Sequence, residues 1–504
     1  MIMMKRILML FFLAVGMTAG KAEDVIQVVP FETTAGVTTD DIQSFSIEMR
    51  NSEKMLAFQF DIFLPEGMSL DNTDGLDPFE FNEDRVSYTV DRRGNKTFDY
   101  LAEYSDPFDG GWITVMVFTL EAEGELKGLD GEIMRVYYLT NENMKPGVYP
   151  VRIRNTVLAN ADNTKKFKPV ESTSYITIGE SPLKTEQTVS MSSLTGYVPS
   201  FTVERMNSQM EGNTAMTSLD LSSADSLGAV PVMGNKNGLV RVSATAATST
   251  LADAKNVVVA TADGDVCNSL SLADGDWNFN ASEGFSAKNA AFNRVFKAGQ
   301  WSTVCLPYGV SAEQLSVIKE NGTEVERLAS YDADANILKF EAVTEMVANT
   351  PYIIKCCKET APFEALADVA VAASATLNDV HCGIATMSGV LSTTILNSNA
   401  SVSYYGYNSA DGSFVKIGSN GTAYPFRAFI SIPSTEAEVK RIGVEHGNGE
   451  LTGITEVDDT NATSAVDVYT VDGKLVRSSV SVGEATKGLI SGVYVVGGKK
   501  IVVR

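Results

Sequence analysis

Apolar side chains alternate with other residues along MLAFQFDIFLPEGM at residues 55–68. The alternating apolar positions are Leu56, Phe58, Phe60, Ile62 and Leu64. Successive side chains of a strand point to opposite faces, so this period of two predicts a strand with one buried face. The Pro-Glu-Gly that follows predicts a turn at its end. A strand buried on one face needs partner strands, which makes a packed β-sheet the expected structure of this region.

Other short alternating segments lie on both sides of this strand, between residues 44 and 180. Together with the first they are SFSIEM, LAFQFDIFL, RVSYTV, WITVMVFTL, RVYYL, YPVRIRN and SYITI. Turn sequences separate them, including RRGNK at residues 92–96 and KPG at residues 145–147. Seven short strands at this spacing, with almost no helical periodicity, are typical of an antiparallel sandwich. We therefore predict one β-sandwich over residues 23–180.

The order of several segments resembles a known superfamily. These segments are FQFDIFLPEGM, WITVMVF, GLDGEIMRVYYL and GVYPVRIRNTVLA. They resemble the cohesin and carbohydrate-binding sandwiches, in the form carried by surface proteins of Bacteroidota. The resemblance implies a jelly-roll-like sandwich that binds either a sugar polymer or a protein. Family membership does not choose between these two ligands.

Two tyrosines are the candidate ligand contacts of this sandwich. Tyr100 and Tyr104 flank the polar segment LAEYSDPFDGG, where their rings could stack on a sugar; the alternative is that they fill the core. An exposed row of aromatic residues on a flat sheet face would favour carbohydrate recognition. A mixed apolar and acidic patch without such a row would favour a protein partner.

The composition changes between residues 181 and 250, where Ser, Thr, Ala and Met dominate. This composition predicts a linker. Within it, MTSLDLSSADSLGAV resembles a single leucine-rich repeat of Bacteroidota surface antigens. One repeat cannot bury its own apolar face, so we interpret it as a vestigial or capping unit. Asp225-Ser226-Leu227 resembles the site at which these bacteria O-glycosylate exported proteins, which makes Ser226 a candidate.

Strand patterns return over residues 251–447. The hairpin YYGYNSADGSFVKIG has Asp411-Gly412 at its turn, and SAEQLSVIKENG at residues 311–322 predicts a short helix that ends at Asn321-Gly322. FSAKNAAFNRVFKAGQWSTVCLPYGVS resembles a segment that recurs in large exported Bacteroidota proteins, and no activity comes with that resemblance. We predict a β-rich domain here. The sequence does not identify its role, and we interpret it as a spacer or adhesive domain.

The C-terminal residues contain two more hairpin patterns. VYTVDGKLV turns at Asp472-Gly473, and GLISGVYVVGGKKIVVR has a Gly-Gly turn before a basic strand. Their order resembles the C-terminal sorting domain of cargo for type IX secretion, which implies a small Ig-like sandwich at residues 448–504 that is read by outer-membrane machinery. The matching positions are Gly473, Gly488, Leu489, Gly492, Tyr494 and Lys500.

The N-terminus predicts export. Lys5 and Arg6 precede the apolar run ILMLFFLAVGMTAG, and Gly20 and Ala22 are small residues at the positions expected before a cleavage site. We therefore predict a signal peptide at residues 1–22. No other segment is long and apolar enough for a transmembrane helix. The expected destination is the outer cell surface, or the medium, by way of the periplasm.

The charge balance argues against several partners. The chain has 63 acidic and 40 basic residues, a formal net charge of −23, and such a surface repels nucleic acid and anionic lipid. His381 and His446 stand alone, which leaves little for metal-dependent or histidine-based catalysis. The acidic segments at residues 71–77 and 331–336 lack the Gly and Glu of a calcium loop. We therefore predict no enzyme activity, no metal site and no cofactor.

All five cysteines lie between Cys267 and Cys382. The odd number leaves at least one thiol free or paired with another chain. Cys356 and Cys357 are neighbours whose side chains would point to opposite faces of a strand, so a bond between them is sterically poor. Burial as small apolar residues is the favoured interpretation for most of them.

Together these patterns predict a mostly β chain built from several antiparallel sandwiches. The predicted function is an exported surface protein that recognises carbohydrate or glycoprotein through its first sandwich. The alternative is a structural or scaffolding protein whose cohesin-like sandwich binds another protein.

Overall fold

The computed structural model describes residues 24–119, 126–160, 166–434, 439–453, 465–481 and 484–503. The predicted signal peptide at residues 1–22 lies outside the described residues. The chain divides into two compact units, one of Met1–Lys184, Met191–Gln209 and Leu221–Pro231, the other of Thr185–Ser190, Met210–Asp220 and Val232–Arg504. Among the described residues, no helix has the length and apolar character needed to cross a membrane.

The first part of the first unit is built almost entirely of strands. In chain order they are β1 (Val25–Val28), β2 (Phe31–Thr33), β3 (Ser44–Arg50), β4 (Met55–Phe63), β5 (Met68–Leu70), β6 (Phe79–Phe81), β7 (Tyr88–Val90), β8 (Lys96–Phe98), β9 (Tyr100–Tyr104), β10 (Trp112–Thr119), β11 (Glu132–Thr140), β12 (Gly147–Asn160), β13 (Lys166–Phe167) and β14 (Ser172–Ile178). Two 3-10 turns occur at Thr39–Asp41 and Thr73–Gly75. Each of the seven predicted strand segments overlaps one of these strands.

These strands form the predicted sandwich. One sheet has the order β1-β3-β11-β5, with β6 also on β11, and the other contains β14-β12-β4-β10-β9. The two sheets bury one core, in which Ile47 of the first sheet and Phe60 and Val115 of the second are fully buried. The alternation along β4 therefore has the predicted cause, because one face of the strand lies on this core.

Residues 181–250, for which we predicted a linker, contain regular elements instead. These are α1 (Pro182–Thr185), β15 (Thr188–Ser190), β16 (Gly196–Val198), α2 (Ser200–Met210), β17 (Ser218–Leu221), β18 (Ala224–Leu227), β19 (Leu239–Ser243) and α3 (Ser249–Ala252). In the first unit, β16 and β18 extend the second sheet as parallel strands, giving the order β18-β16-β14-β12-β4-β10-β9. The repeat-like segment contributes β18 to this sheet, whereas its other strand, β17, pairs with β15 in a different sheet.

Helix α2 is held on the sandwich by apolar and polar contacts. Val203 and Met206 lie three positions apart and are fully buried. The Thr202 hydroxyl donates to Gln27 Oε1 at 3.1 Å, and the Tyr175 hydroxyl donates to Gln209 Oε1 at 2.7 Å. Its order thus comes from burial against the sheet, which the polar composition of the segment concealed.

The second unit consists of further sheets. In chain order, the remaining elements up to residue 453 are β20 (Val257–Ala260), β21 (Val266–Cys267), β22 (Leu270–Leu272), β23 (Phe285–Phe292), β24 (Trp301–Cys305), α4 (Ala312–Glu320), β25 (Thr323–Asp332), β26 (Ile337–Ala342), β27 (Pro351–Cys356), β28 (Leu366–Val371), β29 (Val380–Cys382), β30 (Ala385–Val390), β31 (Thr394–Leu396), β32 (Val402–Asn408), β33 (Ser413–Ile417), β34 (Gly421–Ala423), β35 (Arg427–Pro433), β36 (Arg441–Glu445) and β37 (Leu451–Thr452), with a 3-10 turn at Ser374–Thr376.

An eight-stranded sheet in this unit contains β15, β17, β19 and β20 side by side, with parallel pairing in the β15–β17 and β19–β20 pairs. An eleven-stranded sheet runs β24-β27-β25-β26-β36-β33-β32-β35-β30-β29, with β37 on β36. The predicted helix is confirmed as α4, which begins after a capping box of Ser311 and Gln314. The hairpin at Asp411-Gly412 is confirmed between β32 and β33. The chain is thus mostly β, with several sheets, as predicted.

The described part of the tail forms one four-stranded sheet. Its strands are β38 (Ala465–Thr470), β39 (Leu475–Ser481), β40 (Gly492–Val496) and β41 (Lys499–Val503), in the order β39-β38-β40-β41. We expected a small sandwich, but the described residues supply no second sheet. Ala485 and Leu489 of the connecting segment pack on one face of the sheet instead.

Candidate functional site

The second sheet of the sandwich turns one face to the core and the other away from it. Along β10, Ile113, Val115 and Val117 are at most 4% exposed in the core. We call the opposite surface the outer face; on β10 it comprises Trp112, Thr114, Met116 and Phe118, and on the neighbouring strands Ala57, Gln59, Asp61, Phe63, Leu101, Glu103, Arg152, Arg154, Val157 and Ala159.

The strand register arranges these side chains in rows across the sheet. The rows are Trp112–Phe63–Arg152, then Thr114–Asp61–Arg154, then Glu103–Met116–Gln59–Val157, followed by the separate pairs Leu101–Phe118 and Ala57–Ala159. Opposite residues on neighbouring strands lie close enough for their side chains to interact. The outer face therefore combines aromatic, aliphatic, acidic and cationic side chains that are close enough to contact one another.

The indole of Trp112 is already in contact with two neighbours. The guanidinium carbon of Arg154 lies 3.8 Å from the ring centroid, and the Phe63 ring is 5.5 Å away at 53°. Arg152 lies 5.9 Å from the centroid of Phe63. A guanidinium over an aromatic face occupies the surface on which a sugar would stack. The aromatic pair is thus embedded in cations and is not a free flat platform.

A buried carboxylate lies beside this aromatic pair. Asp61 is 3% exposed and accepts hydrogen bonds from Thr114 Oγ1 and from Asn155 Nδ2, each at 2.7 Å. Arg154 Nε lies 3.4 Å from its Oδ2. A buried charge needs such partners to offset the loss of hydration. Asp61 therefore fixes Arg154 and Asn155 on β12 relative to β4 and β10.

A β-bulge in β12 produces this arrangement. Arg154 pairs with Asp61 and Val157 pairs with Gln59, so two residues of β12 stand opposite the single intervening residue of β4. Asn155 within the bulge has a φ of +49°, a left-handed conformation that Asn tolerates better than most residues. Bulges redirect side chains at functional surfaces. Here the bulge lets both Arg154 and Asn155 reach Asp61.

Exposed apolar side chains lie at the β9 side of the outer face. Leu101 and Met116 are 43% and 46% exposed, with Phe118 half-buried opposite Leu101 and the exposed Glu103 opposite Met116. Methionine and leucine adapt to many shapes of apolar partner. The outer face therefore has the mixed apolar and charged character that favours a protein ligand.

The two tyrosines predicted as ligand contacts lie on the other side of β9. Tyr100 is 2% exposed and packs in the core near the Phe81 ring. Tyr104 is 37% exposed and meets Phe79 edge to face at 5.5 Å. Tyr100 thus has no ring face free for a sugar, and Tyr104 lies at the edge of the core. The structure does not bring them together with Trp112.

The predicted sorting residues lie within or beside the four-stranded sheet. Gly473 forms the β38–β39 turn with a φ of +82°, and Gly488 and Leu489 lie in the segment before β40. Gly492 begins β40, Tyr494 pairs with Ile501, and the exposed Lys500 lies on β41. Ser226, the candidate glycosylation site, lies half-buried on β18 opposite Tyr197.

The two histidines occupy different environments. The exposed His381 lies 3.0 Å from Thr386 Oγ1, whereas His446 is 2% exposed and stacks on Trp301. In the part of the chain that the structure describes, no three Cys, His, Asp or Glu side chains are grouped as metal ligands would be. Asp71, at the start of the acidic segment 71–77, accepts hydrogen bonds from Thr39 and Thr73.

The alternation that directs Phe58, Phe60 and Ile62 to the core directs Gln59, Asp61 and Phe63 to the outer face, but it does not identify their partners. The signal that was overlooked is the alternation of Trp112, Thr114, Met116 and Phe118, which continues the same surface on β10. The contribution of Arg154 depends on the bulge, and a bulge has no clear sequence signature in this strand.

No family model matches this chain, and no curated protein matches it. Several solved cohesin structures are similar to about a third of it. A non-cellulosomal cohesin from Archaeoglobus fulgidus is 13% identical with a TM-score of 0.21, over 31% of this chain and 91% of that chain. A cohesin from Clostridium acetobutylicum, CaCohA2, is 17% identical with a TM-score of 0.23, over 32% and 95%. A cohesin–dockerin complex from Clostridium thermocellum is 14% identical with a TM-score of 0.23, over 31% and 99%. Similarities at these scores carry no conclusion about function.

Proposed function

We propose that this chain is a non-enzymatic binding protein and that the outer face of its sandwich docks another protein. The observation that carries the proposal is the composition of that face, where exposed Leu101 and Met116 adjoin Glu103, and Trp112 lies beneath Arg154. Protein interfaces favour such clusters of aromatic residues, Met and Arg. This is the scaffolding alternative, and it is preferred here to carbohydrate recognition.

Protein binding is preferred to carbohydrate binding because the aromatic rings are already in contact with other side chains. Stacking on a sugar needs an unobstructed ring face, but Arg154 lies against the Trp112 indole and Tyr100 is buried. A protein partner can instead bury the apolar end of the face while its polar groups meet Glu103 or Arg152. We expect Trp112 to be a major contributor, because Trp residues at the centre of interfaces often contribute about 2 kcal/mol or more.

The test compares two full-length variants, in each of which one exposed apolar residue is replaced by Glu. Met116→Glu puts a charge in the outer face, and Val90→Glu makes the same chemical change in the β7–β8 hairpin, where Val90 is 55% exposed. Biotinylated wild type and both variants are used to retrieve proteins from cell-surface extracts, and the retrieved partner is then titrated. We expect wild type and Val90→Glu to retain one partner that Met116→Glu binds at least about tenfold more weakly.

A glycan array with the same three proteins provides the opposing outcome. Saturable binding to a glycan that survives in Met116→Glu, together with no partner lost in that variant, would overturn the protein-binding proposal. A Trp112→Ala variant on the array would then show whether the aromatic pair holds the sugar.

Export and surface sorting are further parts of the proposal. The apolar N-terminal segment with its cationic start and the motif order of the tail support them. We expect removal of residues 466–504 to leave the protein in the periplasm, measured as protection from protease on intact cells and digestion after the outer membrane is opened. Equal digestion of truncated and full-length protein on intact cells would contradict this assignment.

A further inference from the structure

Strand β9 forms one edge of the second sheet of the sandwich. Among the described residues it pairs only with β10, at the end of the order β18-β16-β14-β12-β4-β10-β9. Its five pairs with β10, from Tyr104 opposite Val115 to Tyr100 opposite Thr119, continue without a register shift. The other end of the sheet is less regular, because β18 pairs with β16 through a register shift. The edge at β9 is therefore the regular one.

Every second residue of β9 directs its backbone groups to this edge. The Ser105 N–H donates to the Thr114 carbonyl at 3.0 Å, which makes these two residues a hydrogen-bonded pair of the antiparallel ladder. Such pairs alternate with pairs whose N–H and C=O groups point away from the partner strand. Ala102 and Tyr104 belong to the second kind, and no other described residue bonds to these groups. A strand edge of this kind is a template for a further strand.

The neighbouring edge in the other sheet is partly closed by its own chain. The backbone N–H of Phe79 on β6 donates to Asp77 Oδ1 at 3.0 Å. The Phe79 ring meets Tyr104 edge to face, with 5.5 Å between centroids, so β6 and β9 lie side by side at one rim of the sandwich. The N–H of Phe79 is thus occupied, whereas the outward N–H groups of β9 are available to a partner.

The side chains on the two faces of β9 determine what an added strand must carry. Ala102 and Tyr104 lie on the core side, where Tyr104 is 37% exposed. Leu101 and Glu103 lie on the outer face, and both are exposed. Residues opposite each other on adjacent strands interact through their side chains. An added strand therefore needs apolar residues beside Ala102 and Tyr104, and a cation opposite Glu103.

The charge at this edge is negative. Glu103 pairs with no Lys or Arg among the described residues, and the exposed Asp106 follows soon after β9. Burial raises the pKa of the Asp77 carboxyl, and the nearby charge of Glu103 raises it further. A second copy of this chain would bring the same carboxylates to the edge, and like charges on adjacent strands are destabilising. A cationic segment of another protein is the better match.

We propose that β9 binds an extended segment of a partner protein as an additional antiparallel strand, and that apolar and cationic residues alternate in this segment. The inference rests on the proposed protein-binding function and names the chemistry of the partner. The backbone groups of the apolar residues bond to Ala102 and Tyr104, and the cationic side chains lie on the outer face beside Glu103. Antiparallel pairing continues the order β12-β4-β10-β9, in which each neighbouring pair is antiparallel. Backbone bonds in such complexes supply affinity, and side chains supply specificity.

Methylated peptides test the backbone contact on the unaltered full-length protein. The probe is a fluorescein-labelled peptide in which Val and Lys alternate, titrated by fluorescence polarisation. N-methylation of every Val removes the donors that face β9, whereas N-methylation of every Lys removes donors that face solvent, with the same charge. We expect the Val-methylated peptide to bind at least about tenfold more weakly than the Lys-methylated one. Equal affinities, the reverse order, or no saturable binding of the unmethylated peptide would overturn the inference.

Substitutions separate the edge from the rest of the outer face. Ala102→Pro removes the N–H that faces the edge and no bond to β10, and Pro is tolerated at such edge positions. We expect it to weaken the unmethylated peptide at least about tenfold, with the fold verified by circular dichroism. Glu103→Gln should weaken the peptide by a smaller factor and reduce the salt dependence of binding.

The same variants distinguish this inference from the proposed function. If the folded Ala102→Pro protein retains the partner that Met116→Glu loses, the strand addition is wrong and protein binding by the outer face stands. Loss of that partner in both variants supports the strand addition.

Discussion

Asp61 joins β4 to the strands on both sides of it. Thr114 on β10 and Asn155 on β12 each donate to its carboxylate at 2.7 Å, and Asp61 is 3% exposed. Asp61→Ala would leave both donors without an acceptor in a buried place. We expect the free energy of unfolding to fall by about 2 kcal/mol, measured by urea denaturation.

The exposed Asp106 supplies the matched control for this substitution. Asp106→Ala should change stability by no more than about 0.5 kcal/mol, as is usual for surface positions. If the two substitutions had the same effect, the hydrogen bonds to Asp61 would contribute no net stability.

The cysteines differ strongly in exposure. Burial raises the pKa of the Cys267 thiol to about 11 and that of Cys305 to about 12, whereas Cys357 is exposed. Thiolate is the reactive form, so the buried thiols are both unionised and inaccessible at neutral pH. We expect iodoacetamide to label Cys357 first in the native protein, and all five cysteines after denaturation, as measured by mass spectrometry. Rapid labelling of Cys305 in the native protein would contradict the buried placement.

Tyr100 shows why residue roles on the sandwich were hard to predict. The segment LAEYSDPFDGG has the composition of a loop, but its first part forms β9 and pairs with β10. Strand alternation then directs Tyr100 inward and Leu101 outward. The sequence contains this alternation, but the face that lies on the core is decided by the register with β10, which is a long-range property.

At the scale of elements, the bulge in β12 shapes the outer face. Asn155 there combines a left-handed backbone with a side chain that donates to Asp61. Asn155→Gly keeps the backbone accessible and loses the hydrogen bond, whereas Asn155→Val also adds strain, because a β-branched residue rarely adopts this conformation. We expect losses of unfolding free energy of about 1 kcal/mol for Gly and about 2 to 3 kcal/mol for Val.

Both variants should also weaken binding of the proposed partner, because Arg154 loses its position over Trp112. Chemical denaturation and titration of the partner separate the two effects. Equal stability of the Gly and Val variants would show that the bulge conformation is not strained for Val.

Helix α2 and the parallel strands around it were not predicted, in contrast to α4. Val203 and Met206 have helical spacing, but the surrounding Ser, Thr, Asn and Gln residues of the segment resemble a linker. Helix α4 has a capping box at Ser311, a local signal that needs no partner. Elements whose order depends on burial against another element are therefore the ones that composition hides.

At the scale of the whole molecule, the sheets differ greatly in the cores they bury. Among the described residues of the C-terminal sheet, the buried apolar side chains are Val468, Ala485, Val496 and Ile501. So small a core gives little stability. We expect calorimetry to show a separate low-temperature transition that is missing from a chain ending at residue 453. A single transition in the full chain, unchanged by the truncation, would contradict this.

The class of the fold was predictable because alternation is a local property repeated along the chain. The assignment of strands to sheets was not, because each sheet joins strands that are distant in sequence, such as β26 and β36. The outer face depends on both local alternation and long-range pairing. The alternation along β4 and β10 is visible in the sequence, whereas the position of Arg154 on this face depends on the pairing of β12 with β4.

The five unpaired thiols also bear on how the protein is made. Cys267 and Cys356 are buried among apolar neighbours, Cys305 is buried as well, and none of the five is bonded to another. The native state is therefore complete without oxidation. We expect the chain to reach the same fold in a reducing cytoplasm as in an oxidising compartment, with no isomerase and no refolding from mispaired bridges.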